Sequence, residues 1–253
     1  MIARRPMLIA ALLSVVLGGT AFAGETKVAV AANFTEAAKE IAAKFKARTG
    51  HDASLSFGAS GQFYTQIANG APYEVFLSAD AERPQKAETE GLAVPGSRFT
   101  YATGRLVLFS KTPGLVDGPN TKGGAVLKTS KFEKLSIADP KTAPYGQAAV
   151  ETLTKLKLYD ALKPKIVQGA SITQAFQYVQ TGAAELGFVA LSQVINEPGG
   201  SRWVVPTADH TPIDQQAVLL KTGADSEAAK AFLTFLKSGE ARAIIKRYGY
   251  EVR

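Results

Sequence analysis

The sequence predicts an α/β protein of two lobes, each a mostly parallel sheet flanked by helices, with a ligand cleft between them. Two observations carry this. Strand-like and helix-like segments alternate from Lys27 onward, the order that puts parallel strands in the middle and helices on both faces. The alternation also runs twice, restarting at Arg105, and two such units in one chain make two lobes. Ligands of such sheets bind beyond the carboxyl ends of the strands, where the helices begin.

Each element has its own signal. Lys27 to Ala31 (K-V-A-V-A) reads as a buried strand. Phe34 to Lys46 follows as a helix whose apolar positions Phe34, Ala38, Ile41 and Phe45 form one stripe, ended by Thr49-Gly50. Ala53 to Phe57 is a strand, Gln62 to Ala68 a helix closed by Asn69-Gly70, Tyr73 to Leu77 a strand, and Ala81 to Glu90 a helix. The second series has strands at Arg105 to Ser110, Leu135 to Ala138, Lys165 to Gln168 and Leu186 to Ala190. Its helices are Gln147 to Leu156 and Thr173 to Gln180. Pro212 to Leu220 is extended, and helices near Ser226 to Lys237 and Glu240 to Tyr248 close the chain. Thr112 to Gly124, rich in Gly and Pro, is a surface loop.

Ahead of these elements stand Arg4 and Arg5, an apolar run from Met7 to Leu17, and Ala21-Phe22-Ala23. A basic start, a short apolar core and an A-x-A ending make a secretory leader, expected to be cleaved after Ala23. The mature chain of about 230 residues is long enough to bury its own core. It has no cysteine, so that core holds the fold without disulfides. With no Cys and only His51 and His210, soft-metal sites lack ligands. The formal charge of +7 is spread along the chain without a block of like charges, which describes a solvated surface and no nucleic-acid face.

Four strand-to-helix turns carry the functional signal. They are Ala31-Ala32-Asn33-Phe34-Thr35-Glu36, Gly58-Ala59-Ser60-Gly61-Gln62, Ala143-Pro144-Tyr145-Gly146-Gln147 and Gly169-Ala170-Ser171-Ile172-Thr173-Gln174. Asn33 and Ser60 are placed to cap their helices, and Ser171 with Gln174 matches a capping box. A helix start leaves several backbone N–H groups without an intrahelical partner, and these, with the positive end of the helix dipole, hold anions. Two turns fall in each lobe, so all four can face one cleft. Their side chains are small or neutral donors, which suits a dehydrated oxyanion.

On these residues the chain resembles the periplasmic molybdate-binding proteins. The resemblance is carried by Asn33 to Phe45, the G-A-S-G turn at Ser60, and Gly70 to Asp80 (G-A-P-Y-E-V-F-L-S-A-D). It continues through Ala138-Asp139-Pro140, Pro144-Tyr145-Gly146, Leu186-Gly187-Phe188-Val189 and the ending Lys246-Arg247-Tyr248-Gly249-Tyr250. It implies a type II periplasmic-binding fold, with residues 24–103 plus 211–253 as one lobe and 104–210 as the other, behind a leader at 1–23. It implies capture of molybdate, and of tungstate, for a membrane permease of an ABC transporter. No cofactor is expected, no nucleic acid partner, and no metal beyond the molybdenum of the bound oxyanion; the protein is expected to act as a monomer in the periplasm. The family's oxyanion contacts carry over to Asn33, Ser60, Tyr145 and Ile172, the last through its backbone N–H. A branch of the family has a tyrosine where this chain has Ala190, and the Tyr145 phenol is expected to replace that hydroxyl.

Asp80 and Asp139 lie in the same motifs but would repel a dianion, so both read as turn or cap residues. Other classes fit less well. A hydrolase would want a G-x-S-x-G elbow, which the turn at Ser60 lacks, and a histidine base; His51 and His210 both read as surface residues. A ligand-sensing regulator would want a helix-turn-helix where the leader stands. A ferric-ion protein would want clustered tyrosines and carboxylates. Sulfate and phosphate remain alternatives, because tetrahedral anions differ mainly in size and protonation.

Overall fold

The computed structural model describes residues 23–118, 122–129 and 131–252. The leader reading rests on Arg4, Arg5 and the apolar run, and lies outside the described residues. Among the described residues no helix is long and apolar enough to cross a membrane.

The chain starts with β1 (Glu25–Ala31), a 3-10 turn (Ala32–Phe34) and α1 (Thr35–Thr49). Then come β2 (Asp52–Gly58), α2 (Ser60–Ala68), β3 (Val75–Ser78), α3 (Glu82–Thr89) and β4 (Phe99–Gly104). One residue, Arg105, separates β4 from β5 (Leu106–Ser110). The chain continues through β6 (Leu135–Ala138), α4 (Pro144–Lys155), α5 (Tyr159–Leu162), β7 (Ile166–Gly169), α6 (Ile172–Gln180), β8 (Leu186–Ala190), α7 (Leu191–Val194) and β9 (Ser201–Val204). It returns along β10 (Ile213–Leu219) and ends in α8 (Glu227–Leu236) and α9 (Gly239–Arg247).

Two five-stranded sheets result, ordered β2-β1-β3-β10-β4 and β7-β6-β8-β5-β9. Each is mixed rather than wholly parallel. β10 runs antiparallel to both β3 and β4, and β5 runs antiparallel to both β8 and β9. The reason is connectivity. The carboxyl ends of β1 to β4 point towards the other sheet, so a strand coming back from there must run against them. β5 enters the second sheet from the first and runs against β6 and β8 for the same cause. β4 and β9, which their short and partly polar sequences concealed, complete the outer edges beside these crossing strands.

Helices cover both faces of the first sheet. Val28 and Val30 pack with Phe45 of α1 and with Phe232 and Leu233 of α8. On the opposite face Ala29 and Phe76 pack with Phe63 and Ile67 of α2 and Ala87 of α3. The predicted stripe of α1 is the buried one: Ala38, Ile41 and Phe45 are all at most 1% exposed. Gly50 ends α1 in the left-handed region, φ 77°, which favours glycine. In the second sheet alternation along β5 divides the core, Leu106 and Leu108 to one face, Val107 and Phe109 to the other.

Candidate functional site

The carboxyl ends of β1, β2, β6 and β7 all meet where the sheets face each other, and the four turns singled out in the sequence follow them. Asn33, Ser60, Tyr145 and Ile172 line one small cavity. Each is buried, at 4%, 1%, 1% and 3% exposure respectively. The remaining lining is Ala, Gly and Pro, without a charged side chain. α2, α4 and α6 point their N-termini at this space, so their first N–H groups and dipoles converge on it.

Hydrogen bonds within the protein decide what the side chains offer. The Ser60 hydroxyl accepts from the backbone N–H of Ala79 at 2.9 Å, which leaves its own proton for another acceptor. The Tyr145 phenol accepts from Gln215 Nε2 at 3.3 Å, with the same result. Asn33 is different. Its Nδ2 donates to Gln215 Oε1 at 2.8 Å and to the Tyr250 phenol at 3.0 Å, while its backbone carbonyl accepts from Tyr250 at 2.7 Å and Ser192 at 2.8 Å. Burial raises the pKa of Tyr101, Tyr145 and Tyr250 well above the phenol's ordinary value, so all three stay protonated as donors.

The capping expectation for Asn33 and Ser60 is corrected here. Asn33 sits inside a 3-10 turn, and α1 starts after it at Thr35, with Phe34 in the cap position and no side-chain cap. Ser60 is the first residue of α2 rather than its cap, and its oxygen serves Ala79. Tertiary partners compete for both side chains and win. Ser171 does cap α6, accepting from Gln174 N at 3.3 Å, whereas the Gln174 side chain reaches past it to Ala170 N at 2.6 Å. Pro144 opens α4 at a position where its missing N–H costs nothing.

The two halves touch around the cavity. Gly61 N–H donates to Thr142 O at 2.8 Å, and Arg83 reaches Lys141 O at 3.0 Å. Ser192 Oγ donates to Asn33 O, and Tyr250 Oη lies 3.0 Å from Ser192 Oγ. Gly61 permits this approach, because a Cβ there would stand 2.9 Å from Thr142 Cα. The arrangement is a closed cleft around a pocket of neutral donors.

Known proteins share both sequence and architecture with this chain. The family model for bacterial extracellular solute-binding proteins matches residues 26–251. The molybdate-binding protein ModA of Rhodobacter capsulatus is 60% identical over 91% of this chain and 89% of its own length. Its counterpart from Azotobacter vinelandii is 55% identical over 96% of each. The solved periplasmic molybdate-binding protein of Azotobacter vinelandii superposes with a TM-score of 0.86 at 44% identity, covering 90% of this chain and 99% of that one. The chain belongs to the molybdate-binding family of extracellular solute-binding proteins.

Its relatives in the molybdate-binding family are binding proteins, not enzymes, which disposes of the hydrolase reading. The carboxylates in the family-like motifs serve turns. Asp80 accepts from Ser78 Oγ at 3.1 Å and Arg83 N at 3.0 Å and pairs with the Arg83 guanidinium. Asp139 accepts from Lys141 N at 3.0 Å. Ala190 ends β8 in the core, fully buried, and is absent from the cavity wall; Ala32 is part of that wall. The surface expectation for the histidines needs correction at His210. It is 8% exposed, with Nδ1 2.7 Å from Thr211 O. His51 is half-buried, its Nδ1 accepting from Gly24 N at 2.9 Å.

Sequence reasoning missed Gln215, fully buried in β10, which joins Asn33, Tyr101 and Tyr145. Its signal was available: an uncharged amide set into a strand otherwise turning apolar (I-D-Q-Q-A-V-L). Tyr250, quoted only as part of a motif, is likewise buried against Asn33.

Proposed function

We propose that this protein captures molybdate in the periplasm, after removal of its leader, and hands it to the membrane permease of an ABC transporter. Tungstate, of nearly the same size, is taken as well, and the protein works as a monomer. The oxyanion contacts are Asn33, through its backbone N–H because both Nδ2 protons are given to Gln215 and Tyr250, with Ser60, Tyr145 and the backbone N–H of Ile172. The observation that supports this reading is the convergence of four turns, two from each half, on one buried cavity without a charged side chain.

The chemistry of that cavity favours a fully deprotonated oxyanion. Ser60 and Tyr145 each accept a bond, from Ala79 N–H and Gln215 Nε2, which leaves their hydroxyl protons to be given to a ligand. A ligand that carries its own proton needs an acceptor, and phosphate at neutral pH carries one. Charge-assisted bonds from preorganised neutral donors are stronger than neutral ones and hold a dianion without a countercharge. Isothermal titration with molybdate, tungstate, sulfate and phosphate tests the assignment. Molybdate and tungstate are expected to bind alike and phosphate poorly. Sulfate bound as tightly as molybdate would overturn the claim that the cavity selects by size.

Binding and closure belong together in this reading. An oxyanion reaches its full set of contacts only when Asn33 and Ser60 meet Tyr145 and Ile172, so ligand favours the closed form through its differential contacts.

A further inference from the structure

The crossing strand β10 brings one buried amide into the middle of the site. Gln215 is fully buried, and β10 carries it back from the second half of the molecule into the first sheet. Its Oε1 accepts from Asn33 Nδ2 at 2.8 Å and from the Tyr101 phenol at 3.0 Å. Its Nε2 faces the Tyr145 oxygen at 3.3 Å. One side chain thus ties a cavity residue of each half to the strand that joins them.

The bond to Tyr145 has a direction. With two donors held on its Oε1, the Gln215 amide presents Nε2 to Tyr145 and can only donate there. The phenol oxygen therefore accepts, and its proton turns elsewhere. Room for this arrangement comes from Gly104, the last residue of β4. A Cβ at position 104 would lie 2.1 Å from Tyr145 Oη and 2.7 Å from Gln215 Nε2.

We infer that Gln215 is a positioning residue that fixes the Tyr145 phenol as a donor to the bound oxyanion, acting through the hydrogen bond it gives to Oη. This rests on the proposed role of Tyr145 as an oxyanion contact. A carboxylate at position 215 would accept the phenol's proton and reverse the bond, while adding a negative charge beside the ligand.

The test is a cycle of titrations with molybdate on the full mature protein. Tyr145→Phe alone is expected to weaken binding roughly ten- to a hundredfold. Gln215→Met, which keeps volume and removes both hydrogen-bonding ends, is expected to weaken the parent by at least tenfold. In the Tyr145→Phe background the same change should cost less than about threefold, a coupling that contacting residues show and separate ones do not. Gln215→Glu supplies a second readout. It should bind weakly at pH 8 and recover as the pH falls and the buried carboxyl takes up its proton. The other titratable groups around position 215 are the phenols of Tyr101, Tyr145 and Tyr250, with Asp80 acting on Tyr101, and the phenols stay protonated in this range. Full binding by Tyr145→Phe would overturn both the contact and the positioning role. Weak binding by Tyr145→Phe with additive losses from Gln215→Met, or a flat pH profile for Gln215→Glu, would overturn the positioning role alone.

Discussion

At the scale of single residues, the site works by orienting its hydroxyls. A hydroxyl has one proton to give, and a bond accepted from a backbone N–H on one side of the oxygen turns that proton to the other side. Ala79 N–H does this for Ser60 at 2.9 Å. Ser60→Ala should therefore act twice. It leaves a buried N–H unsatisfied, costing about 1–3 kcal/mol of stability, and it removes a donor from the ligand. Urea unfolding without ligand and titration with molybdate measure the two losses separately; a variant that loses only stability would remove Ser60 from the contacts. The sequence exposed Asn33, Ser60, Tyr145 and Ile172 because helix starts have a recognisable grammar of small polar residues. It could not expose their partners. Asn33 lies 182 positions from Gln215 and 217 from Tyr250, and no local pattern encodes such pairings.

At the scale of elements, the helix starts were legible and their capping only in part. Ser171 caps α6 as its spacing predicts, since nothing from the other sheet competes for its oxygen. Ser60 and Asn33 stand where the halves meet and are drawn into longer-range bonds. The same contact zone makes the turn before α2 intolerant of added volume. A Cβ on Gly61 would stand 2.9 Å from Thr142 Cα and 3.1 Å from its carbonyl oxygen, both backbone atoms that cannot swing aside. Gly61→Ala should hold the halves apart and weaken molybdate binding, with little effect on the stability of the open form. Titration together with small-angle scattering checks this: the variant should show less compaction at saturating ligand than the parent. Unchanged affinity would mean that the halves do not meet as closely at this turn when ligand is bound. β4 and β9 escaped notice for a related reason. F-T-Y-A-T-G and S-R-W-V are short, and their burial comes from neighbouring strands more than from their own composition.

At the scale of the whole molecule, two predictions concern stability. Ligand that binds the folded protein alone raises its melting temperature with concentration, so molybdate should shift thermal unfolding upward and phosphate should not. A scan without any shift at saturating molybdate would contradict capture by the folded, closed form. Alkali acts through Tyr101, Tyr145 and Tyr250. Burial, the main cause, raises the pKa of each above the ordinary value of about 10 that holds in the unfolded chain. Below pH 10 both states keep the phenol protons, and these groups make no difference. Above it the unfolded chain gives up protons that the native state retains, so stability falls as pH rises, by up to about 1.4 kcal/mol per pH unit for each phenol. Urea midpoints should be level between pH 7 and 9 and drop beyond 10, with a gentler decline in Tyr145→Phe.

The strand order of the first sheet also bears on how the chain assembles. β4 pairs with β10 and with no other strand of that sheet, and β10 is residues 213–219. The second sheet draws all its strands from the unbroken stretch between Leu106 and Val204. A chain growing or emerging from its N-terminus can therefore finish the later sheet before the earlier one, reversing the usual order in which N-terminal units fold first. A chain ending at residue 212 should protect backbone amides of β5, β6 and β8 from hydrogen exchange while those of β4 exchange freely. The cavity, which needs both sheets, would then be the last part of the molecule to exist, and no unfinished chain could withhold molybdate from a finished one.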